Sequence, residues 1–404
     1  MPADPSHPTS INRQIARRPD ILDISLVDDR DRFDYLLDGG DVFTVHDTLT
    51  EQLDDLIRVR HPQRKLEPLE MADERKRILG PTPEQFGRWV FDPWTGSLVR
   101  LLPPAEFRFL RTVRNRYKIT PDEQRALATK AVGVVGLSVG LAAAVTLALE
   151  GIGGRFRLAD FDTLGLSNLN RLRARVCDLG VNKAVLAARQ LFEIDPYLDV
   201  EIFPVGIREE SLAGFFGNVV PLDVLVEECD DLWAKVRLRE EARGRRVPVV
   251  MDTSDRGMID VERYDLDPTS LPFHGLAGAV RSEDVRAITP PARMGPIAAI
   301  VEADKLSPGA RRSLPEIGET ITTWPQLASA VALGGAVTAD VVRRIPLGTF
   351  TASGRFRVDV EQLVCDHPHP PMPPPGLRIL PTDAFTKYDA RTHGHGGRAS
   401  VVSY

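Results

Sequence analysis

Thiols are scarce in this chain. Of 404 residues only three are cysteine, Cys177, Cys229 and Cys365, an odd set without a Cys-x-x-Cys pair. That argues against a disulfide framework or a thiolate zinc site, so no zinc is expected and a reducing cytoplasm is the expected compartment. A large charge imbalance is missing too. The 57 acids against 51 bases leave a formal charge of −6, too mild for nucleic acid or an anionic membrane to be a bulk electrostatic partner. The first 20 residues are polar, with Pro, His and Arg and no apolar h-region, which argues against a secretory signal. No Gly-Lys-Thr phosphate loop follows the first strand of the nucleotide-like region, so any phosphate grip has to come from elsewhere.

Long apolar runs are equally few. Ala131–Leu149 is uncharged over 19 residues, long enough to cross a bilayer. Its character changes partway, however. Val132, Val134 and Val135 are β-branched, and an Ala/Leu run begins after Gly136 and Gly140. A buried strand, a tight turn and a buried helix explain that change better than one lipid-facing helix. No membrane partner is expected.

What is present is an alternation of strand and helix signals. Strands are expected at Val132–Gly136, Arg155–Phe161, Asp199–Val205, Leu222–Glu227 and Val247–Asp252, and helices between them at Gly140–Glu150, Asn182–Ile194, Arg208–Phe216 and Leu232–Arg245. Near-continuous apolar strands alternating with helices predict an α/β fold, a doubly wound, Rossmann-like, mostly parallel sheet covered on both faces. Further strands are expected at Met258–Tyr264 and Arg355–Val360, a short apolar segment at Ala292–Glu302, and a long helix at Ala328–Ile345. Upstream, helical periodicity at Thr48–Arg60 and a hairpin at Gly87–Leu102, with Trp89, Phe91 and Trp94 as a packing cluster, suggest a small α+β accessory region. A helix at Glu106–Arg116 carries Arg108, Arg111, Arg114 and Arg116. The expected organisation is a disordered start (1–20), an accessory domain (21–104), the main α/β domain (105–365) and a Pro/Gly-rich tail (366–404).

The chemistry concentrates between Ala131 and Lys183. Gly136-Leu-Ser-Val-Gly140 follows a strand and opens a helix, the context in which glycines let a backbone approach a nucleotide. Its spelling with Ser138 also imitates a hydrolase nucleophile elbow. The His residues after it fall mostly in the Pro/Gly-rich tail (His367, His369, His393, His395), which leaves the elbow without its partners. Asp160-Phe-Asp162 lies about two dozen residues after Gly136, where a strand-end acid meets ribose hydroxyls. Ser167-Asn168-Leu-Asn-Arg171 then supplies amide and guanidinium donors suited to phosphate oxygens, and Lys183 adds a movable positive charge. Each element alone also admits a plainer reading: a structural turn, an Asp capping a strand end, a solvated polar loop.

Together these residues resemble the superfamily of ThiF, MoeB and the ubiquitin-activating enzymes. GLSVG, DFDTLGLSNLNR and Lys183 carry the resemblance, Glu228-Cys229-Asp230-Asp231 approximates the family's Asp-Cys-x-Asp-Asn, and GGAVTADVVRRIPLG with RFRVDV echoes its last helix and antiparallel strand. The resemblance implies a ThiF-like adenylyltransferase that uses ATP and Mg²⁺ to activate a carboxylate, the C-terminus of a small ubiquitin-like or sulfur-carrier protein or peptide, and that works as a homodimer. It implies that Gly136, Ser138 and Gly140 shape the nucleotide turn and that Asp160, with Asp162, meets the ribose. Asn168, Arg171 and Lys183 would address the triphosphate, Asp230 would take the metal, and Arg114 or Arg116 would reach a neighbouring subunit's ATP, with Arg173 a weaker phosphate candidate. Ser138 stands where the family has glycine, and no cysteine stands where a thioester would form. Cys177 and Cys229 are expected to be small core or wall residues. Two other readings stay open, an NAD(P)-binding oxidoreductase on a Rossmann sheet and a degenerate ATP-binding scaffold.

Overall fold

In the computed structural model, which describes residues 18–278, 280–287 and 290–366, the strand signals become two sheets. The chain divides after Asp359 into two units. The second contributes one exposed helical turn, Val360–Leu363, to the described residues. The tail histidines and the Pro-rich run from His367 lie outside the described residues, as do residues 1–17.

In the first unit, β1 (Asp20–Leu22), β2 (Thr44–Asp47), β3 (Arg88–Asp92) and β4 (Ser97–Leu101) form a four-stranded sheet in the order β1-β3-β4-β2. The expected hairpin is β3–β4, antiparallel around Asp92-Pro-Trp-Thr-Gly96. Its alternation buries Trp89, Phe91 and Leu98 with Leu22 and Leu36 in a small separate core. Trp94 leaves that core. Its indole Nε1 donates to Glu193 at 2.8 Å.

The second sheet has seven strands: β5 (Ala131–Val135), β6 (Arg155–Ala159), β7 (Asp199–Phe203), β8 (Val224–Glu227), β9 (Val249–Asp252), β10 (Met258–Glu262) and β11 (Gly354–Arg357), in the order β11-β10-β9-β8-β5-β6-β7. The five strands from β7 to β9 run parallel, and β10 and β11 are each antiparallel to their neighbour. β5, β8 and β9 are buried at every position, as strands covered on both faces must be. The chain leaves β5 toward β6 and β7 and then returns to β8 on β5's other side. The sheet therefore reverses direction between β5 and β8, and such a reversal opens a crevice at the carboxyl ends of the strands.

Helix Gly140–Glu150 matches its expected bounds and packs on helix Ala328–Arg344. A Cβ at Gly335 would stand 2.7 Å from that of Ala142, so glycine sets how closely the two approach. The expected helix Glu106–Arg116 ends earlier, at Thr112. A 3₁₀ turn, Val113–Asn115, follows, and Tyr117 reverses the chain at φ 70°. An unanticipated helix, Pro121–Leu127, then opens on a reciprocal Thr120–Glu123 capping box. The last expected strand is shortened as well, since pairing stops at Arg357.

Behind β8 lies a buried ionic cluster. Arg239 is fully buried, donating to Glu227 at 2.6 Å and to Glu262 at 2.5 Å, with its guanidinium 3.9 Å from the centroid of Phe273. Burial alone would raise the Glu227 carboxyl, but the Lys235 and Arg239 cations outweigh it and hold it at about 2. The cluster pins the last residue of β8 and so fixes where the next four residues point.

Candidate nucleotide site

The crevice between β5 and β8 opens into a cavity of about 320 Å³. Five loops build it: the turns after β5, β6, β7 and β8, and a late segment carrying Thr323, Trp324 and Gln326. Of the residues singled out from the sequence, Gly136, Ser138, Asp160, Asp162, Asn168, Arg171, Lys183 and Asp230 all line it.

Gly136 is where backbone meets backbone. It sits at φ +85°, and a Cβ there would fall 2.5 Å from the Glu228 carbonyl and 2.6 Å from the Cys229 nitrogen. Only glycine combines that conformation with that approach. Gly140 lies just behind the cavity wall, where it starts the helix beside Val134. Among the described residues the buried Ser138 hydroxyl has no hydrogen-bond partner. Leaving a buried polar atom unpaired costs about 1–3 kcal/mol, so a ligand oxygen there would recover that energy.

Asp160 is 8% exposed. Its two carboxylate oxygens accept from the backbone nitrogens of Leu137 (2.7 Å) and Asp162 (2.8 Å). Burial raises its carboxyl above the ordinary range, partly offset by those two amides and by Lys183. Each oxygen keeps a lone pair for a hydroxyl donor. Asn182, not singled out from the sequence, holds this corner together. Its Nδ2 donates to the carbonyls of Asp160, Asp162 and Pro204, while its Oδ1 caps the helix at Ala184 and Val185. That cap sets Lys183 on the first turn, facing Asp162.

In the loop after β6, Asn168 Oδ1 accepts from the Gly165 nitrogen at 2.9 Å. Arg171 donates through Nη1 to Asn170 Oδ1 at 2.9 Å, and among the described residues its buried Nε has no partner. Burial lowers its guanidinium and Asp230 works against that. Asp230 is exposed, and among the described residues its carboxylate accepts no hydrogen bond. The next acid, Asp231, is committed to capping Ala234 at 2.7 Å. One free carboxylate beside phosphate-type donors is the protein contribution Mg²⁺ takes in nucleotide sites.

Two carboxyls on the β8–β9 side were missed from the sequence. Glu228 lines the cavity, and its Oε1 accepts from the Asp252 nitrogen at 2.8 Å. Burial and the neighbouring Asp252 push the Glu228 carboxyl well up, and burial raises Asp252 to about 6. Their juxtaposition comes from strand pairing across the sheet, which no local spacing reports.

Other expected residues lie elsewhere. Arg116 lines a second cavity, of about 440 Å³, and sits 5.5 Å from the ring of Phe109. Arg114 lines neither of these cavities. Arg173 lines a third cavity, beside Leu149 and Gln190. Cys229 is a wall residue as expected, its Sγ 2.9 Å from Glu227 Oε1 and its thiol raised well above the usual range by burial and that carboxylate. Cys177 is exposed, a correction to the core or wall reading. The 3₁₀ turn Val176–Asp178 turns Asp178 inward to Arg175 and its cysteine outward. Among the described residues no group of three or more His, Cys, Asp or Glu could hold a metal, and no helix is long and apolar enough to cross a membrane.

Residues 111–258 match the ThiF family. The chain is similar to the uncharacterized protein MT1398 of Mycobacterium tuberculosis, 45% identical over 310 residues, covering 76% of this chain and 43% of that protein. It therefore spans less than half of that relative's length. It is 27% identical to the molybdopterin-synthase adenylyltransferase of Haemophilus influenzae, over 50% of this chain and 82% of that enzyme. With the tRNA threonylcarbamoyladenosine dehydratase of Bacillus subtilis it shares 28% identity, over 38% of this chain and 60% of the relative.

Proposed function

The chain carries a ThiF-family domain at residues 111–258, and from that premise we propose that it is an ATP-dependent adenylyltransferase, converting a carboxylate into an acyl-adenylate with release of pyrophosphate. The carrying observation is that Asp160, Asn168, Arg171, Lys183 and Asp230 surround one cavity at the sheet's point of reversal. A buried hydroxyl acceptor, Asp160, together with phosphate-type donors in the same cavity suits a nucleoside triphosphate. A dinucleotide oxidoreductase would use Gly136 and Asp160 and leave the two cations and Asn168 without a task.

In this reading Asp160 holds the ribose, while Asn168, Arg171 and Lys183 hold the triphosphate in line. Asp230 would hold Mg²⁺, which when bound would neutralise charge on the phosphate oxygens. The substrate carboxylate forms a bond to the α-phosphorus as the bond to the bridging oxygen of pyrophosphate breaks. Charge grows on the non-bridging oxygens, where fixed cations stabilise it without a protein nucleophile. Cys229, whose thiol is hydrogen-bonded to Glu227, has no part in this step.

The substrate we infer is the C-terminal carboxylate of a small ubiquitin-like or sulfur-carrier protein, or of a peptide. The Haemophilus influenzae relative, named as a molybdopterin-synthase adenylyltransferase, supports that choice. We further assign residues 105–365 to the adenylating part, residues 21–104 to an accessory role, and the protein to the cytoplasm as a homodimer. Arg114 or Arg116 would then reach the neighbouring subunit's nucleotide. ATP–pyrophosphate exchange against a panel of small proteins ending in Gly-Gly tests the reading. Acceptor-dependent exchange supports it, and nucleotide binding with no exchange across the panel favours a non-catalytic scaffold.

A further inference from the structure

We propose that the cavity beside helix Pro104–Thr112 is a second ligand site that takes a medium-chain acyl carboxylate, with the anionic head at Arg116 and the chain along the helix. The cavity, of about 440 Å³, is within the size range of small-molecule sites. It shares no lining residue with the nucleotide cavity and lies at the other end of the sheet. Ala128, Gly154 and Leu198 line it just before β5, β6 and β7 begin, whereas Gly136 and Asp160 follow the ends of β5 and β6. Nothing in the adenylation step calls for it.

The helix sets the length of the space. Ala105, Arg108, Phe109 and Thr112 line it at i, i+3, i+4 and i+7, which is one helical face. Between the first and the last of them the helix rises about 10 Å. Phe109, Val113, Ile119 and Leu198 make that length apolar. Charge sets the head group. Arg125 is paired with Asp122, and Arg108 and Arg111 share the single lining acid, Asp195, at 3.6 and 3.3 Å. Arg111 is committed further, donating to the carbonyls of Ala148 and Leu149. Arg116 lies over the Phe109 ring, and among the described residues no carboxylate pairs with it. The wall therefore carries more positive than negative charge, with one guanidinium fork open to a carboxylate beside the apolar surface. In the dimer reading that leaves Arg114 for the neighbouring subunit's nucleotide.

Calorimetric titration of octanoate into the full chain, with and without AMP, tests the assignment, octanol probing the head and butanoate the chain. Octanoate should give saturable heat that AMP leaves unchanged. It should bind at least roughly tenfold more tightly than octanol and than butanoate. Arg116→Gln should bring the octanoate-to-octanol ratio to about threefold or less. Val113→Trp, which fills the space, should weaken octanoate at least about tenfold at an unchanged melting temperature. The ratio within Arg116→Gln cancels general damage and stands even where Val113→Trp fails to fold. Equal binding of octanol, or an unchanged ratio in Arg116→Gln, would overturn the anionic head, and equal binding of butanoate the acyl chain. Displacement of octanoate by AMP would put it in the nucleotide cavity and overturn the second site. No octanoate heat, with self-association lost in Arg116→Gln, would mean that a second copy of the chain covers the cavity, and would overturn it too.

Discussion

Lys183 and Asp162 close on each other at the cavity: Nζ of the lysine, 6% exposed, lies 2.8 Å from Oδ2 of the aspartate, and the Lys183 backbone nitrogen donates to the Asp162 carbonyl at 2.9 Å. The aspartate side chain is half exposed, so among the described residues the ammonium has one partner, with room to exchange it for a phosphate. Lys183→Ala should therefore weaken ATP binding and reduce pyrophosphate exchange by roughly 100-fold. Lys183→Met, similar in length but neutral, should do no better, and equal activity of the Met variant and the wild type would remove the lysine from phosphate binding.

Arg171 and Asp230 line the same cavity and attract one another; among the described residues the first has an unpartnered Nε and the second a carboxylate that accepts no bond. Arg171→Ala and Asp230→Ala are each expected to lower exchange roughly 100- to 1,000-fold with thermal melting unchanged, since neither side chain supports the core. Exchange at the wild-type rate in either variant contradicts the role given to that residue.

Gly136→Ala tests the architecture. The added Cβ meets the Glu228 carbonyl at 2.5 Å and the backbone is at φ +85°, so the turn has to move. We expect a loss on the order of 2–3 kcal/mol in denaturant unfolding together with loss of ATP binding, because β5 and β8 flank the site.

Asp252 supplies a pH dependence. Burial holds its carboxyl at about 6 in the folded chain, against 3.8 for an ordinary aspartate. The folded state therefore binds the proton more tightly, and between those values stability falls as pH rises, by up to about 3 kcal/mol. Asp252→Asn should flatten that part of the profile and stabilise the protein at pH 7 to 8, with little change at pH 4. Glu227, held at about 2 by Lys235 and Arg239, acts oppositely. Its contribution is present above the ordinary glutamate range and lost as pH falls toward 2. A melting-temperature series from pH 2 to 8 on wild type and Asp252→Asn separates the two, the Glu227 loss falling below pH 4.5 and the Asp252 slope between about 4 and 6.

Much of this site was legible in the sequence because its signals are local. Gly136, Asp160 and Arg171 fall within one strand-turn-strand-loop stretch, and β-branched runs broken by Ala/Leu helices gave the parallel sheet. What stayed hidden depends on contacts between distant segments. Glu228 meets Asp252 because β8 and β9 pair, and Trp324 lines the cavity from a distant segment that an Asn170–Gln326 bond joins to the loop after β6. Asn182 reads as an ordinary helix cap, and its three carbonyl contacts exist only once β6 and β7 have ended side by side. The misplaced end of the arginine helix has a backbone cause. After Thr112 the backbone tightens into the 3₁₀ turn Val113–Asn115 and Arg116 turns extended, changes no periodicity announces.

The central claim is that the polar loop after β6 grips a polyphosphate whose ribose rests on Asp160. Calorimetric titration of Mg·ATP and of NAD into the wild type and into Asp160→Ala tests it most directly. The account predicts saturable heat with Mg·ATP, an affinity weakened at least roughly tenfold in Asp160→Ala, and no heat with NAD. Tight NAD binding that Mg·ATP fails to displace would contradict it.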